Sequence, residues 1–183
     1  MANLIQIRLC GYGGQGMVLA GMILGYAAIN DDKWVAGSNF YGAQARGGSA
    51  GSEVVVSNHP IAYPHVIKAD ILIALSQTAY DAYIQDVNEQ NAFALYDDMM
   101  VKPQTIHGVQ HIGVPATKKA INELDNKQVA NIIMLGASAV ITGIVTEKSL
   151  ISSIQANVGQ RFRELNRKAL EIGYRVGNDI IRS

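Results

Sequence analysis

A doubly wound α/β domain with a mostly parallel sheet is the fold class this sequence predicts, and three observations carry the prediction. Leu4 to Cys10 alternates apolar and polar residues, as a half-buried strand does. Gly11-Tyr12-Gly13-Gly14-Gln15-Gly16 follows at once, and Met17 to Ile29 is then apolar nearly throughout, the pattern of a buried helix. Small residues at such a strand-to-helix turn let the chain reverse tightly, let a ligand approach the backbone, and let helix and strand pack closely. The helix N-terminus would present free N–H groups and a partial positive charge to whatever sits over the turn.

The remaining elements extend the same plan. Trp34 to Ser38 reads as the second strand and Glu53 to Ser57 as another. Ser57-Asn58-His59-Pro60 reads as a turn that pairs the latter strand with Ile61 to Tyr63 in a hairpin. Ile71 to Leu75 is a continuous apolar run suited to the centre of a parallel sheet, and Ser76 is placed to cap a helix reaching about Val87. Ala92 to Tyr96 is the next strand, and the stretch around His107 and His111 is strand-like. Pro115 opens a helix to Leu124, and Val129 to Val145 reads as a long helix buried all round. Thr146 caps Glu147 to Val158. In the last helix Phe162, Leu165, Ala169, Ile172 and Val176 form one stripe at three- and four-residue steps. Residues 1–183 therefore read as a single Rossmann-like domain with a β-hairpin insertion and a helical C-terminal third.

Spacing decides between specific readings of the glycine turn. A Walker-type phosphate loop needs Lys then Ser or Thr, and Met17 and Val18 stand there instead. Gly11, Gly13 and Gly16 satisfy G-x-G-x-x-G, but a dinucleotide fold also wants an acid at the end of the second strand. Asp31 and Asp32 precede that strand, which runs into Ser38-Asn39-Phe40 without one. A second glycine-rich stretch, Phe40 to Gly51, holds four glycines and Arg46, the one full positive charge between Lys33 and Lys68. A guanidinium beside Gly47 and Gly48 suits a phosphate or carboxylate. A helix N-terminus contributes roughly 0.3–2 kcal/mol to an anion, whereas micromolar affinity needs about 8 kcal/mol. A nucleotide-like ligand on the first turn would need a second anchor, and Arg46 is the best placed. The alternative is that both bends serve packing.

Composition narrows the function classes. Hydrophobic residues make up 49% and charged residues 16%, apolar enough to suggest surface buried against a partner. The formal net charge is zero, which points away from nucleic-acid or membrane-surface binding. The acids Asp70, Asp81, Asp86, Glu89, Asp97 and Asp98 fall in a stretch without Lys or Arg, while basic residues return in the last helix. Cys10 is the sole cysteine, so an internal disulfide and a cysteine-held iron–sulfur or zinc site are excluded. No basic-then-apolar leader or adequate membrane span is seen, and a cytoplasmic protein is expected. Asp97-Asp98 and His107/His111 lack the company that a metal site requires. No nucleophile–base pair emerges, so no catalytic residue is assigned.

Four stretches carry a resemblance. Ile7-Arg8-Leu9-Cys10-Gly11-Tyr12-Gly13-Gly14-Gln15-Gly16 resembles the opening of the gamma subunits of 2-oxoacid:ferredoxin oxidoreductases, which correspond to one domain of the single-chain pyruvate enzyme. Tyr41-Gly42-Ala43-Gln44-Ala45-Arg46-Gly47-Gly48 resembles that family's Y-G-P-E-A-R-G-G. Val129-Ala130-Asn131 through Leu135-Gly136-Ala137 resembles its V-A-N-x-x-x-L-G-A, and Asn166 through Gly173 its N-x-x-A-F-x-x-G. The segment Ala74 to Tyr80 is most similar to the 2-oxoglutarate branch. Ala43 and Gln44 depart from the family's Pro and Glu, and Leu170 from its Phe.

The resemblance implies a subunit that works in company. Such complexes oxidatively decarboxylate a 2-oxoacid with coenzyme A to give an acyl-CoA and reduced ferredoxin. Thiamine diphosphate and magnesium belong to alpha and beta subunits, iron–sulfur clusters to other subunits or domains, and ferredoxin accepts the electrons. A ferredoxin-like delta subunit and a homodimer of the isolated chain stay open. The residues expected to face coenzyme A or a partner are Gly11, Gly13, Gly14, Gln15, Gly16, Tyr41, Gly42, Arg46, Gly47, Gly48 and Asn131. The competing expectations are a stand-alone nucleotide-binding oxidoreductase and a gamma-type subunit for pyruvate, a branched-chain oxoacid or indolepyruvate.

Overall fold

The computed structural model describes residues 4–42 and 49–183. Its centre is β1 (Leu4–Tyr12), flanked by β3 (Ser49–Ser57) on one side and β4 (Ile71–Ala74) on the other. With β2 (Trp34–Tyr41), β5 (Ala92–Asp97) and β6 (Val109–Val114) the sheet runs in the order β2-β3-β1-β4-β5-β6. The β1, β4, β5 and β6 neighbours are parallel, while β3 is antiparallel to both β1 and β2. Five strands therefore share one direction, and β3 alone runs against them.

Side chains alternate across β1. Ile7 and Leu9 enter a core shared with α1 (Met17–Asn30), α3 (Ala116–Leu124), α4 (Ala130–Thr142), α5 (Glu147–Asn157) and α6 (Gln160–Arg182). Cys10 faces the other way, with Val55, Leu72 and Ala94, under α2 (Gln77–Tyr83) and Val66 of the loop before β4. Cys10 is fully buried, and burial pushes its thiol up to about 12 against a smaller opposing pull from Arg8. Iodoacetamide at pH 8 is accordingly expected to label the folded chain only as fast as it unfolds. Rapid stoichiometric alkylation would show the packed thiol to be wrongly placed.

Several sequence expectations change. Ile61 to Tyr63 is not a strand. It lies between Pro60 and Pro64, and both edges of β3 are already paired, so the antiparallel hairpin is formed by β2 and β3 instead. The helix after Ser76 ends at Tyr83 and tightens to a 3₁₀ turn over Ile84–Asp86. The long apolar helix closes at Thr142, because Gly143 takes the left-handed conformation that ends helices. Thr146 caps α5 as expected, its hydroxyl accepting from the Ser149 amide. Phe162 is 46% exposed, so the buried stripe of α6 starts beyond it and is centred on Ala169, Leu170, Ile172, Gly173 and Val176. The apolar α4 is buried by α6 and the sheet, but α1, equally apolar, is covered on one side only.

Close approach of backbones explains two of the glycine-bearing stretches. A Cβ on Gly136 would lie 2.8 Å from the Leu170 carbonyl oxygen, and one on Gly173 2.3 Å from that of Ile133. These two residues let α4 and α6 touch main chain to main chain.

Candidate functional site

The glycine turn lies at the C-terminal edge of β1, the edge of an α/β sheet where ligand sites form. The Gln15 amide donates to the Tyr12 carbonyl at 3.1 Å, closing a β-turn whose third residue, Gly14, has φ +98°, a conformation that favours glycine. Gly13 and Gly14 form an exposed tip, and a Cβ on Gly14 would meet nothing within 4 Å. Beneath the tip the turn is filled from within. The Gln15 carboxamide accepts from the Tyr12 amide at 2.6 Å and donates to the Leu75 carbonyl at 2.9 Å, tying β1's end to β4's. Gly11 must be small because that carboxamide would lie 2.5 Å from its Cβ.

Asn131 completes the base. It is buried at the start of α4, and its Nδ2 donates to the Gly16 carbonyl at 2.9 Å. Gly16 itself is left-handed at φ 73° and caps α1, with no room for a Cβ beside Asn131. The two motifs, far apart in the chain, thus meet as one positioned turn with Asn131 as its support. Sequence reading singled out Gln15 and Asn131 through the resemblance. Their contacts depend on tertiary packing and had no local signal.

The strands on either side of the second bend reach the same edge. Tyr12 pairs with Ser49, and Tyr41 with Ala50, so the last residues of β1 and β2 flank the start of β3. The Gly42 amide donates to the Ser49 carbonyl, and Tyr41 is 72% exposed. Arg46, Gly47 and Gly48 lie outside the described residues, as do the departures Ala43 and Gln44.

This arrangement is not a dinucleotide cradle. The Tyr12 amide, which would face a diphosphate, is taken by Gln15. The strand carrying a ribose-binding acid should neighbour β1, but β3 intervenes, and β2 ends in uncharged Tyr41. Asp31 instead accepts from the Thr146 amide and hydroxyl and from the Ser149 hydroxyl, joining α1 to α5. Burial works to raise its pKa, but these hydrogen bonds outweigh it and hold the carboxyl below its ordinary value.

Other candidates serve the scaffold. Asp97 accepts from the amides of Met99 and Thr117, fixing the entry to α3. Asp98 is raised by burial and then by Asp97 beside it. His111 lies on β6 with Nδ1 3.2 Å from the Tyr80 hydroxyl, whereas His107 is exposed in a turn. Among the described residues no group of three or more His, Cys, Asp or Glu could hold a metal ion. A cleft of about 930 Å³ opens at the opposite end of the sheet between Asp31, Lys33, Asn58 and Thr146, remote from the glycine turn. No helix among the described residues is long and apolar enough to cross a membrane.

The model of the pyruvate ferredoxin/flavodoxin oxidoreductase family matches residues 6–176. The chain belongs to this family. It is 41% identical to the 2-oxoglutarate synthase subunit KorC of Methanocaldococcus jannaschii, over 96% of this chain and 95% of that one. It is 31% identical to the ketoisovalerate oxidoreductase subunit VorA of Methanothermobacter marburgensis, where the match covers 92% of this chain but 36% of the relative. The fold superimposes on the crystal structure of the keto/oxoacid ferredoxin oxidoreductase gamma subunit of Geobacter sulfurreducens with a TM-score of 0.84. That pair is 35% identical, over 96% of this chain and 99% of that one. The family members matched are subunits of oxidoreductases, and the single α/β domain expected from sequence is the fold observed.

Proposed function

We propose that this chain is the gamma subunit of a 2-oxoglutarate:ferredoxin oxidoreductase. The observation that carries the reading is the match to a 2-oxoglutarate synthase subunit over nearly the full length of both chains, on a gamma-subunit fold. In the complex, 2-oxoglutarate loses carbon dioxide, its acyl group passes to the coenzyme A sulfur, and the electron pair released goes to ferredoxin. The carbanion chemistry is what thiamine diphosphate supplies when bound, with magnesium, on alpha and beta subunits, and iron–sulfur clusters carry the electrons elsewhere. The sole cysteine of this chain is buried, in keeping with clusters held by its partners.

Its own residues contribute a contact surface. Gly13 and Gly14 face outward at the head of α1, and Tyr41 at the end of β2 lies at the same edge of the sheet. This fits a phosphate-bearing ligand lying across the edge, not one enclosed within the turn. Arg46 supplies the charge, and Gln15 and Asn131 hold the turn's shape. Arg46→Ala in the assembled complex is expected to raise the KM for coenzyme A about tenfold, the loss of one charge-assisted hydrogen bond, with the KM for 2-oxoglutarate unchanged. Steady-state kinetics on the purified complex provides the check, and an unchanged coenzyme A KM with assembly intact removes Arg46 from the role. Calorimetry of the isolated chain with NAD or FAD is expected to show no binding.

A further inference from the structure

Helix α1 contains no charged residue, and neither does β2, so these two adjoining elements form a face without charge. A helix on a domain surface ordinarily turns charged and polar residues outward, and one apolar all round belongs in an interior. The outward positions of α1 are Val18, Met22, Tyr26 and Ile29, and the last three are 40%, 48% and 52% exposed. On the α1 side of β2, Tyr41 adds a ring that is 72% exposed. Together these side chains expose on the order of 400 Å² of largely apolar surface, about half of the roughly 800 Å² that one partner brings to a stable interface. β2 is also an edge strand of the sheet, with no Lys, Arg or Pro to guard its free edge. The equally apolar α4 is the internal comparison, since the fold buries it.

We infer that the outer face of α1 with the edge of β2 docks a companion subunit of the oxidoreductase complex through an apolar, uncharged surface. The inference rests on the gamma-subunit reading. In VorA of Methanothermobacter marburgensis the matching domain is 36% of a longer chain, so the rest is held to it covalently. Here the counterpart of that remainder must be held by surface contact alone, which calls for an obligate-type interface, and such interfaces are apolar. The face is also continuous with the candidate site, because Gly13 and Gly14 stand at the N-terminal end of α1. A subunit seated on α1 would therefore border the glycine turn, and the ligand surface would be completed at the subunit boundary.

The test is co-expression of the chain with its companion subunits, one of them tagged, and quantification of this chain in the purified complex. The wild type is expected to be retained, and the Met22→Glu/Tyr26→Glu variant to be at least about tenfold depleted, because docking would bury carboxylates without partners. Ile181→Glu, which alters an equally exposed apolar residue on α6, is expected to be retained fully. Circular dichroism melting shows whether the double variant stays folded, and if it does not, Met22→Lys alone is read in its place. Retention of the α1 variant at the wild-type level overturns the inference. So does an isolated wild-type chain that forms a dimer in sedimentation, if the α1 variant abolishes the dimer but not the complex, for then the occupant is a second copy. Failure of the wild type itself to enter the complex would instead defeat the gamma-subunit reading.

Discussion

Replacing Glu53 by alanine is expected to lower the stability of this domain by about 3 kcal/mol. Arg8 projects from β1 into the layer beneath α2, with only 7% of its side chain exposed. Its Nε and Nη2 donate to Glu53 Oε1 at 3.0 and 2.8 Å, and Nη2 reaches the Val66 carbonyl at 3.3 Å. The guanidinium also lies 4.8 Å from the centre of the Tyr83 ring. Removing the carboxylate leaves a buried cation with Asp86, 3.8 Å from Nη1, as its nearest countercharge, and the desolvation cost then stands largely uncompensated. If this account is right, the double variant Arg8→Met/Glu53→Leu should lie within about 1 kcal/mol of wild type, since apolar replacements remove both charges together. Urea titration of the wild type, Arg8→Met, Glu53→Leu and their combination closes the cycle, and simple additivity of the two single variants would contradict the pairing.

Gly173→Ala is expected to destabilise the domain by about 2–3 kcal/mol, even though alanine favours a helix by roughly 1 kcal/mol over glycine. The new methyl would meet the Ile133 carbonyl oxygen at 2.3 Å, and Gly136 Cα and the Ala137 amide nitrogen at 3.0 and 3.1 Å. All three are main-chain atoms of α4, so α6 must move away and loosen the packing of Ala169, Ile172 and Val176. In a chain of 183 residues that is a fall in melting temperature of roughly 5–10 °C. Gly25→Ala in α1 makes the control. Its methyl would find only Val35 Cγ1 at 3.6 Å, an ordinary contact, and a gain of up to about 1 kcal/mol is expected. Calorimetric melting curves of both variants decide the matter, and equal effects at the two positions would refute the close crossing of α4 and α6.

The expectations from sequence succeeded where local physics governs. Leu4 to Cys10, Ile71 to Leu75 and the Thr146 cap are set by alternation, by a continuous apolar run and by a side-chain oxygen at a helix start, and all are found as expected. The hairpin failed because pairing is not local. Ile61 to Tyr63 has the apolar character of a strand, but β3 took its partners from residues before it in the chain. The buried reading of α1 failed on one face for a related reason, since composition reports that a side chain avoids water but not which neighbour covers it. For the candidate site, the glycines were legible because a tight turn demands them. The roles of Gln15 and Asn131 were not, because Leu75 and Gly16, which they hold, are distant in sequence.

By itself the sequence determined the α/β class, the glycine turn at the head of α1 and membership of a subunit family, because periodicity, backbone permissiveness and motif order are written along the chain. Only the tertiary structure decided that β3 separates β1 from β2, that Gln15 fills the turn, and that α1 and β2 share an uncharged outer face. Strand order and close contact arise from chain segments meeting across space, and no local pattern of residues encodes which segments will meet.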